Sequence, residues 1–160
     1  MAKRVTILNG PNLNMLGTRE PKIYGKVTLP AIEASCRELA DAIGVKLAFH
    51  QTNHEGELVG QVQAARRDSD ALIINPAACS FHSIALVDAL AMFEGPIIEL
   101  HISNIHARDE LHRHSIVSRV AKAVICGLGA YGYVVALLSA AKLLGAVPKD
   151  FPGPLRVGPK

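Results

Sequence analysis

A glutamate and a histidine two residues apart form the first pair of side chains that could do chemistry. Glu99 and His101 lie in the segment PIIELH, whose apolar residues predict a strand. At this spacing both side chains point to one face of a strand, so the carboxylate can orient the imidazole and stabilise its charge. An unpaired carboxylate in so apolar a segment would be costly to desolvate. The pair predicts a general acid, with a purely structural buried pair as the alternative.

The long segment LNMLGTREPKIYG, which contains Arg19 and Tyr24, is the second candidate. Its Gly17, Pro21 and Gly25 are typical of the hinges of a mobile loop that covers an active site. A tyrosine that acts as a base at pH 7 must ionise about three pH units below its normal pKa, at a cost of about 4 kcal/mol. One arginine at about 4 Å in a partly desolvated site supplies a similar energy. The segment predicts a tyrosinate base, and an ordinary surface loop is the alternative.

The glycine-rich segment GLGAYG, residues 127–132, matches the GxGxxG pattern of dinucleotide-binding folds. A dinucleotide site needs this pattern after a strand that continues into further βαβ units, whereas here it follows the last predicted strand. Close backbone approach, or an anion beside a helix N-terminus, explains the glycines better. An oxidoreductase that binds NAD(H) therefore stays an alternative from a different class.

Two further clusters give weaker signals. The histidines near the middle of the chain lack the HExxH and CxxC patterns of metal sites; they are His101, His106, His112 and His114. Cys79 and His82 are three residues apart, but a small buried thiol explains the cysteine better than a nucleophile does. We therefore expect neither a metal nor a covalent thiol intermediate.

Length and composition limit the class of protein. The 160 residues suffice for one domain with one core, and 49% of them are hydrophobic and 19% charged. No apolar run reaches the 18 or so residues of a membrane span, and the N-terminal MAKRVTILNG leads into a strand pattern, so we expect a cytoplasmic protein. The scattered net charge of +3 and an aromatic content of 4% disfavour nucleic-acid binding and fit a small anionic substrate. Three isolated cysteines disfavour a disulfide framework or a structural zinc site.

Apolar segments alternate with segments of helical periodicity. The apolar runs are continuous, as in the strands of a parallel sheet covered on both faces, and they cover residues 4–8, 45–50, 71–74, 96–101 and 123–126. The predicted helices cover residues 29–43, 57–67, 82–93, 106–120 and 131–144. Right-handed crossovers place such helices on both faces, so the sequence predicts a flavodoxin-like, doubly wound, five-stranded parallel α/β sheet. We expect one catalytic domain over residues 1–147 and an irregular tail over residues 148–160.

Polar residues follow four of the five predicted strands. Ligands bind outside the carboxyl ends of the strands in folds of this kind. The segments found there are NGPN, HQTNHE, NP and ELHISN. Turn formation explains the glycine and prolines, but it does not explain Glu99 and His101. The candidate residues are therefore expected to meet at one edge of the sheet.

Several long motifs resemble those of the type II 3-dehydroquinate dehydratases. They are ILNGPNLNMLGTREPKIYG, QTNHEGELV, INPAA, GPIIELHISNIHAR and GLGAYGYVVAL, in this order, and the match covers roughly Val5 to Leu144. The resemblance implies a flavodoxin-like hydro-lyase that needs no cofactor and belongs to shikimate biosynthesis or quinate breakdown. It also implies a homo-oligomer, a dodecamer built as a tetramer of trimers.

The resemblance further implies a role for each matching residue. Tyr24 would take a proton from C2 of 3-dehydroquinate, with Arg19 favouring its anion. Asn12 would hold the donor that stabilises the enolate, and His101, oriented by Glu99, would protonate the departing C1 hydroxyl. Substrate-binding roles are implied for Asn75, Ser103 and the Ile102 amide, and for Asp88 at the site of a neighbouring subunit.

Two positions depart from the pattern of the resembled family. The segment after Asn-Pro usually reads like GAYTHTS, which places a substrate-binding histidine where this chain has Phe81, followed by His82. A familiar arginine after the HAR motif is replaced by His112, followed by Arg113. We expect these departures to weaken substrate binding, with His82 and Arg113, each one position away, as substrate-binding residues that partly substitute if their loops bend. They leave open a divergent paralogue that acts poorly, acts on another cyclic hydroxy acid, or only binds such acids.

Overall fold

A five-stranded parallel sheet forms the centre of the protein. The computed structural model describes residues 1–149. The strands are β1 (Arg4–Asn9), β2 (Lys46–Gln51), β3 (Ala71–Asn75), β4 (Ile97–His101) and β5 (Ala123–Cys126), in the order β2-β1-β3-β4-β5. This is the flavodoxin-like arrangement that the sequence predicts, and it is confirmed.

Helices cover both faces of the sheet. They are α1 (Pro21–Tyr24), α2 (Leu29–Ile43), α3 (Glu55–Asp68), α4 (Ile84–Ala91) and α5 (Tyr131–Leu143). The helices α2 and α5 pack on one face against Ile7 and Ile73, and α3 and α4 pack on the other against Leu8 and Leu72. All four strand residues have at most 1% of their surface exposed, because side chains that alternate along a strand meet a helix layer on either side.

Side-chain caps set the limits of two helices. The Thr28 hydroxyl accepts from the backbone of Ala31 at the start of α2, which ends at Gly44 in the left-handed conformation. The Ser83 hydroxyl accepts from the backbone of Leu86, so α4 begins at Ile84 and not at His82 as predicted. A membrane span needs a longer apolar helix than any found among residues 1–149.

The helix predicted over residues 106–120 is wrong. The structure has three short 3-10 turns instead, Ile105–Ala107, Glu110–His112 and Val117–Arg119. The Asn104 side chain accepts from the backbone of His106, and the Asp109 side chain accepts from the backbone of Leu111. Such local hydrogen bonds compete with helical ones, so the chain turns repeatedly above β4. The predicted tail falls largely outside the described residues.

Candidate active site

One pocket lies at the carboxyl ends of β1, β3 and β4, where the fold predicts a ligand. Most of the candidate residues line it, namely Asn12, Arg19, Tyr24, Asn75, Phe81, His101, Ile102, Ser103 and His112. The neighbouring loops approach closely here because residue 10 is a glycine. A Cβ at Gly10 would lie 2.4 Å from the carbonyl oxygen of Pro76, a distance that no side chain tolerates.

The Glu99 and His101 side chains form a buried pair at the end of β4. His101 Nε2 lies 2.6 Å from Glu99 Oε1, and the residues are 4% and 0% exposed. Ser118 donates a hydrogen bond to the other oxygen of Glu99. Burial acts to raise the pKa of Glu99, but the contacts with His101 and with the hydroxyls of Ser115 and Ser118 outweigh it and hold the pKa below its ordinary value.

This pair can support an imidazole that exchanges protons. An ionised Glu99 accepts the Nε2 proton of His101, which fixes the orientation of the ring. The Nδ1 atom is then the ring nitrogen available for proton transfer. Each carboxylate oxygen of Glu99 has a hydrogen-bond partner, so the carboxylate can hold the His101 ring from its buried position.

Two arginines lie against the Tyr24 ring in the loop after β1. Arg108 Nη1 donates a hydrogen bond to the Tyr24 hydroxyl at 2.9 Å. The Arg19 guanidinium carbon lies 4.9 Å from the centre of the Tyr24 ring, and that of Arg108 lies 5.7 Å from it. Two guanidinium groups therefore lie against the face of the Tyr24 ring, and one of them also bonds to its hydroxyl.

Arg108 is a pocket residue that sequence reasoning missed. It lies in the motif NIHAR, but 84 positions separate it from Tyr24, so nothing in the sequence showed that the two side chains meet. The available signal was its position directly after the polar segment that follows β4.

Asn12 occupies a conformation that other residues seldom adopt. Its φ angle is 69°, in the left-handed region, and its backbone N–H donates to Asn53 Oδ1 at 2.9 Å. The Gln51 side chain donates to both Asn53 Oδ1 and the Gly10 carbonyl. The loop after β2 therefore fixes the backbone of Asn12 and leaves its side chain for the pocket.

Phe81 and His112 contact each other in the pocket wall. Their ring centres are 5.6 Å apart in an edge-on arrangement, and the Phe81 ring is stacked at 6.4 Å from His101. His112 Nδ1 lies 2.8 Å from each carboxylate oxygen of Asp109. The hydrogen bond with His112 is the main reason that the pKa of Asp109 lies below its ordinary value.

Comparisons with known proteins identify the family. Residues 3–141 match the family model described as dehydroquinase class II. The chain belongs to the class II dehydroquinase family. It is an enzyme of that family, a hydro-lyase, and the resemblance seen in the sequence is confirmed.

The chain matches its relatives over most of their length. The 3-dehydroquinate dehydratase of Dinoroseobacter shibae is 54% identical over 83% of this chain and 89% of its own. Catabolic 3-dehydroquinase 1 of Neosartorya fischeri is 50% identical over 86% of this chain and 91% of its own. The crystal structure of the type II dehydroquinase from Propionibacterium acnes has a TM-score of 0.85 and 43% identity, and the match covers 89% of this chain and 98% of that one.

Three of the expected substrate-binding residues lie away from the pocket in a single chain. His82 is exposed, and Arg113 forms an ion pair with Glu110, with 3.2 Å between Nη1 and Oε2. Asp88 is exposed on α4, so within a single chain it does not reach the pocket. In this structure of a single chain, His82 and Arg113 therefore do not line the pocket beside Phe81 and His112.

The glycine-rich segment and Cys79 have structural surroundings in the described part of the chain. Gly132 packs against Leu100, so a Cβ there would lie 2.9 Å from Leu100 Cδ1. Burial raises the pKa of the Cys79 thiol, which favours its neutral form. Residues 1–149 contain no group of three His, Cys, Asp or Glu side chains arranged to hold a metal ion.

Proposed function

We propose that this chain dehydrates 3-dehydroquinate to 3-dehydroshikimate through an enolate, without a metal, a cofactor or a Schiff base. One observation supports this above all. Tyr24, whose hydroxyl is held by Arg108 at 2.9 Å, and His101, which is paired with the buried Glu99, line the same pocket. A base and an acid that serve one substrate are what the elimination of water beside a carbonyl requires.

In the first step, Tyr24 acts as the base. Its phenolate removes the proton from C2, and the electrons of the broken C–H bond form an enolate with the neighbouring carbonyl. Arg19 and Arg108 stabilise the phenolate before the step. Asn12 holds the donor, a side-chain N–H or a water, that stabilises the oxygen charge of the enolate.

In the second step, His101 acts as the acid. The enolate re-forms the carbonyl, the bond from C1 to its hydroxyl breaks, and the hydroxyl takes a proton from His101 and leaves as water. Glu99 stabilises the imidazolium form that supplies the proton. Proton return from Tyr24 to His101 through solvent completes the cycle.

Substrate recognition uses polar groups at the ends of β3 and β4. Asn75, Ser103 and the Ile102 backbone amide anchor the hydroxyls and the carboxylate of the substrate, and they line the pocket together. Asp88 of one subunit approaches the site of its neighbour in a dodecamer, a tetramer of trimers. We propose that the enzyme works in the cytoplasm, in shikimate biosynthesis or quinate breakdown.

The residues of the pocket favour an enolate over an imine. A Schiff base with a ketone needs a lysine, and no lysine lines the pocket within residues 1–149. The test is an absorbance assay for the enone product of 3-dehydroquinate. We expect product formation that EDTA does not change, and a protein that stays unlabelled when borohydride is added with substrate. A mass increase on a lysine would refute the enolate route.

A divergent paralogue is the second candidate, and Phe81 and His112 are the observation that favours it. Both lie in the pocket wall, where they offer fewer hydrogen bonds than a histidine and an arginine would. Such an enzyme would act poorly on 3-dehydroquinate, act on another cyclic hydroxy acid, or only bind such acids. Turnover of a related hydroxy acid faster than 3-dehydroquinate in the same assay would favour this candidate.

A further inference from the structure

A buried tyrosine behind the pocket connects two asparagine side chains. Tyr133 of α5 is 0% exposed, and its hydroxyl donates to Asn9 Oδ1 at 2.7 Å and accepts from Asn75 Nδ2 at 2.9 Å. Burial raises the pKa of Tyr133 far above its ordinary value, against the opposing effect of the bond from Asn75. The hydroxyl therefore keeps its proton and remains a donor. Of the three residues, Asn75 alone lines the pocket.

Asn9, Tyr133 and Asn75 form a row of hydrogen bonds, and the backbone at its two ends determines the direction of every bond in the row. Asn9 Nδ2 donates to the carbonyl oxygen of His50 at 2.9 Å, and a carbonyl can only accept. Asn9 must therefore turn its oxygen towards Tyr133, which must donate to it and then accepts from Asn75. At the other end the backbone N–H of Ala77, which can only donate, bonds to Asn75 Oδ1 at 3.3 Å.

The row leaves the Asn75 amide only one favourable orientation. A flipped amide would place its NH₂ group against the N–H of Ala77 and its oxygen against the oxygen of Tyr133. Both contacts would be repulsive in a site where Asn75 is 3% exposed. In the observed orientation, one N–H and one lone pair of Asn75 remain for a ligand.

We propose that Tyr133 is a positioning residue, which holds the Asn75 amide in the orientation that binds the substrate. The proposal rests on the proposed dehydration of 3-dehydroquinate. Tyr133 touches no substrate itself, so its contribution reaches the reaction through Asn75. We therefore expect Tyr133 to affect substrate affinity more than the rate of the chemical step.

The substitution Tyr133→Phe tests this, since it removes one oxygen and keeps the ring in the core. One lost orienting hydrogen bond predicts a rise in the KM for 3-dehydroquinate of about tenfold, with kcat changed by less than about twofold. Val62→Ala is the matched control for lost stability, because Val62 is fully buried on the other face of the sheet. We expect its KM to equal that of the wild type.

A double-mutant cycle separates positioning from general destabilisation. If Tyr133 acts through Asn75, Tyr133→Phe should leave the KM of an Asn75→Ala enzyme unchanged. An additive further loss in that background, or an unchanged KM in the single variant, would overturn the proposal. If Tyr133→Phe does not fold, Asn9→Ala is the second variant. It removes the oxygen that accepts from the Tyr133 hydroxyl, so this hydroxyl is no longer held as an acceptor for Asn75. Its KM must rise too, and an unchanged value would overturn the proposal.

The same assay distinguishes a failure of the proposed function from a failure of the proposed role of Tyr133. A wild-type enzyme that forms no enone from 3-dehydroquinate would overturn the proposed function and this inference with it. An active wild type whose KM is insensitive to Tyr133→Phe would overturn the inference alone.

Discussion

Restoring hydrogen-bonding side chains to the pocket wall should make this enzyme faster at low substrate concentration. The change is Phe81→His together with His112→Arg. Phe81 offers a substrate hydroxyl no partner, and an unsatisfied polar group costs about 1 to 3 kcal/mol. An arginine would add a permanent charge and a five-donor fork where the imidazole has at most two donors. We therefore expect kcat/KM to rise at least tenfold, which corresponds to about 1.4 kcal/mol.

The structure indicates how the two changes combine. The rings of Phe81 and His112 are in contact at 5.6 Å, so the single variants should not add up to the double variant. Asp109, which now bonds to His112 at 2.8 Å, can also hold an arginine at that position. This competition limits the gain from His112→Arg alone. We expect the double variant to do better, because it also adds a hydrogen-bonding side chain at position 81.

The measurement is kcat/KM for 3-dehydroquinate in the wild type, both single variants and the double variant. His114→Arg is the matched control for added positive charge, because His114 bonds to Glu110 on the surface with 73% of its side chain exposed. The reasoning is refuted if the double variant gains nothing, or if His114→Arg gives the same gain. In the first case the chain uses a different substrate, or other groups already serve these hydroxyls.

Four further outcomes follow from the site. Tyr24→Phe should lower kcat by about 10² to 10⁴ and leave equilibrium binding of 3-dehydroquinate nearly unchanged; weaker binding with unchanged turnover would contradict the base role. Arg108→Gln should lower kcat/KM more than Arg108→Lys, which keeps a charge beside the Tyr24 hydroxyl; equal losses would contradict this. Because the pKa of Glu99 is lowered in the fold, its ionised form adds stability that is lost as the pH falls from about 4 through that lowered value. Urea unfolding between pH 3 and 6 should show less of this loss in Glu99→Gln. Native mass should be a multiple of 17.1 kDa, and an active monomer would exclude the dodecamer.

The centre of the sheet could be predicted from the sequence because β1, β3 and β4 are buried on both faces, whereas the edge strands β2 and β5 are only partly buried. Residues such as Ile7, Ile73 and Ile98 must be apolar whichever face they point to, so the strands stand out as continuous apolar runs. The segment 106–120 could not be predicted in the same way. Its apolar residues recur at helical spacing, but the side chains of Asn104 and Asp109 bond to the nearby backbone and break the helix into turns.

The proton-transfer candidates were predictable where the two residues are neighbours in the sequence. Glu99 and His101 are two positions apart on a strand, and a strand places both on one face. Arg108 could not be found this way, since only the folded loops bring it to Tyr24. A single sequence shows residue types and local spacing, whereas a site assembled from several strand ends depends on the topology.

The same limit explains why the two departures in the pocket wall looked independent. In the sequence Phe81 follows β3 and His112 follows β4, and each invited a substitute one position away. In the structure β3 and β4 are adjacent, so the two rings touch and form one continuous surface beside His101. Arg113 is engaged with Glu110 on the outside. A change at one position alters the packing at the other, so this wall should be altered as a unit when the substrate preference of the enzyme is tested.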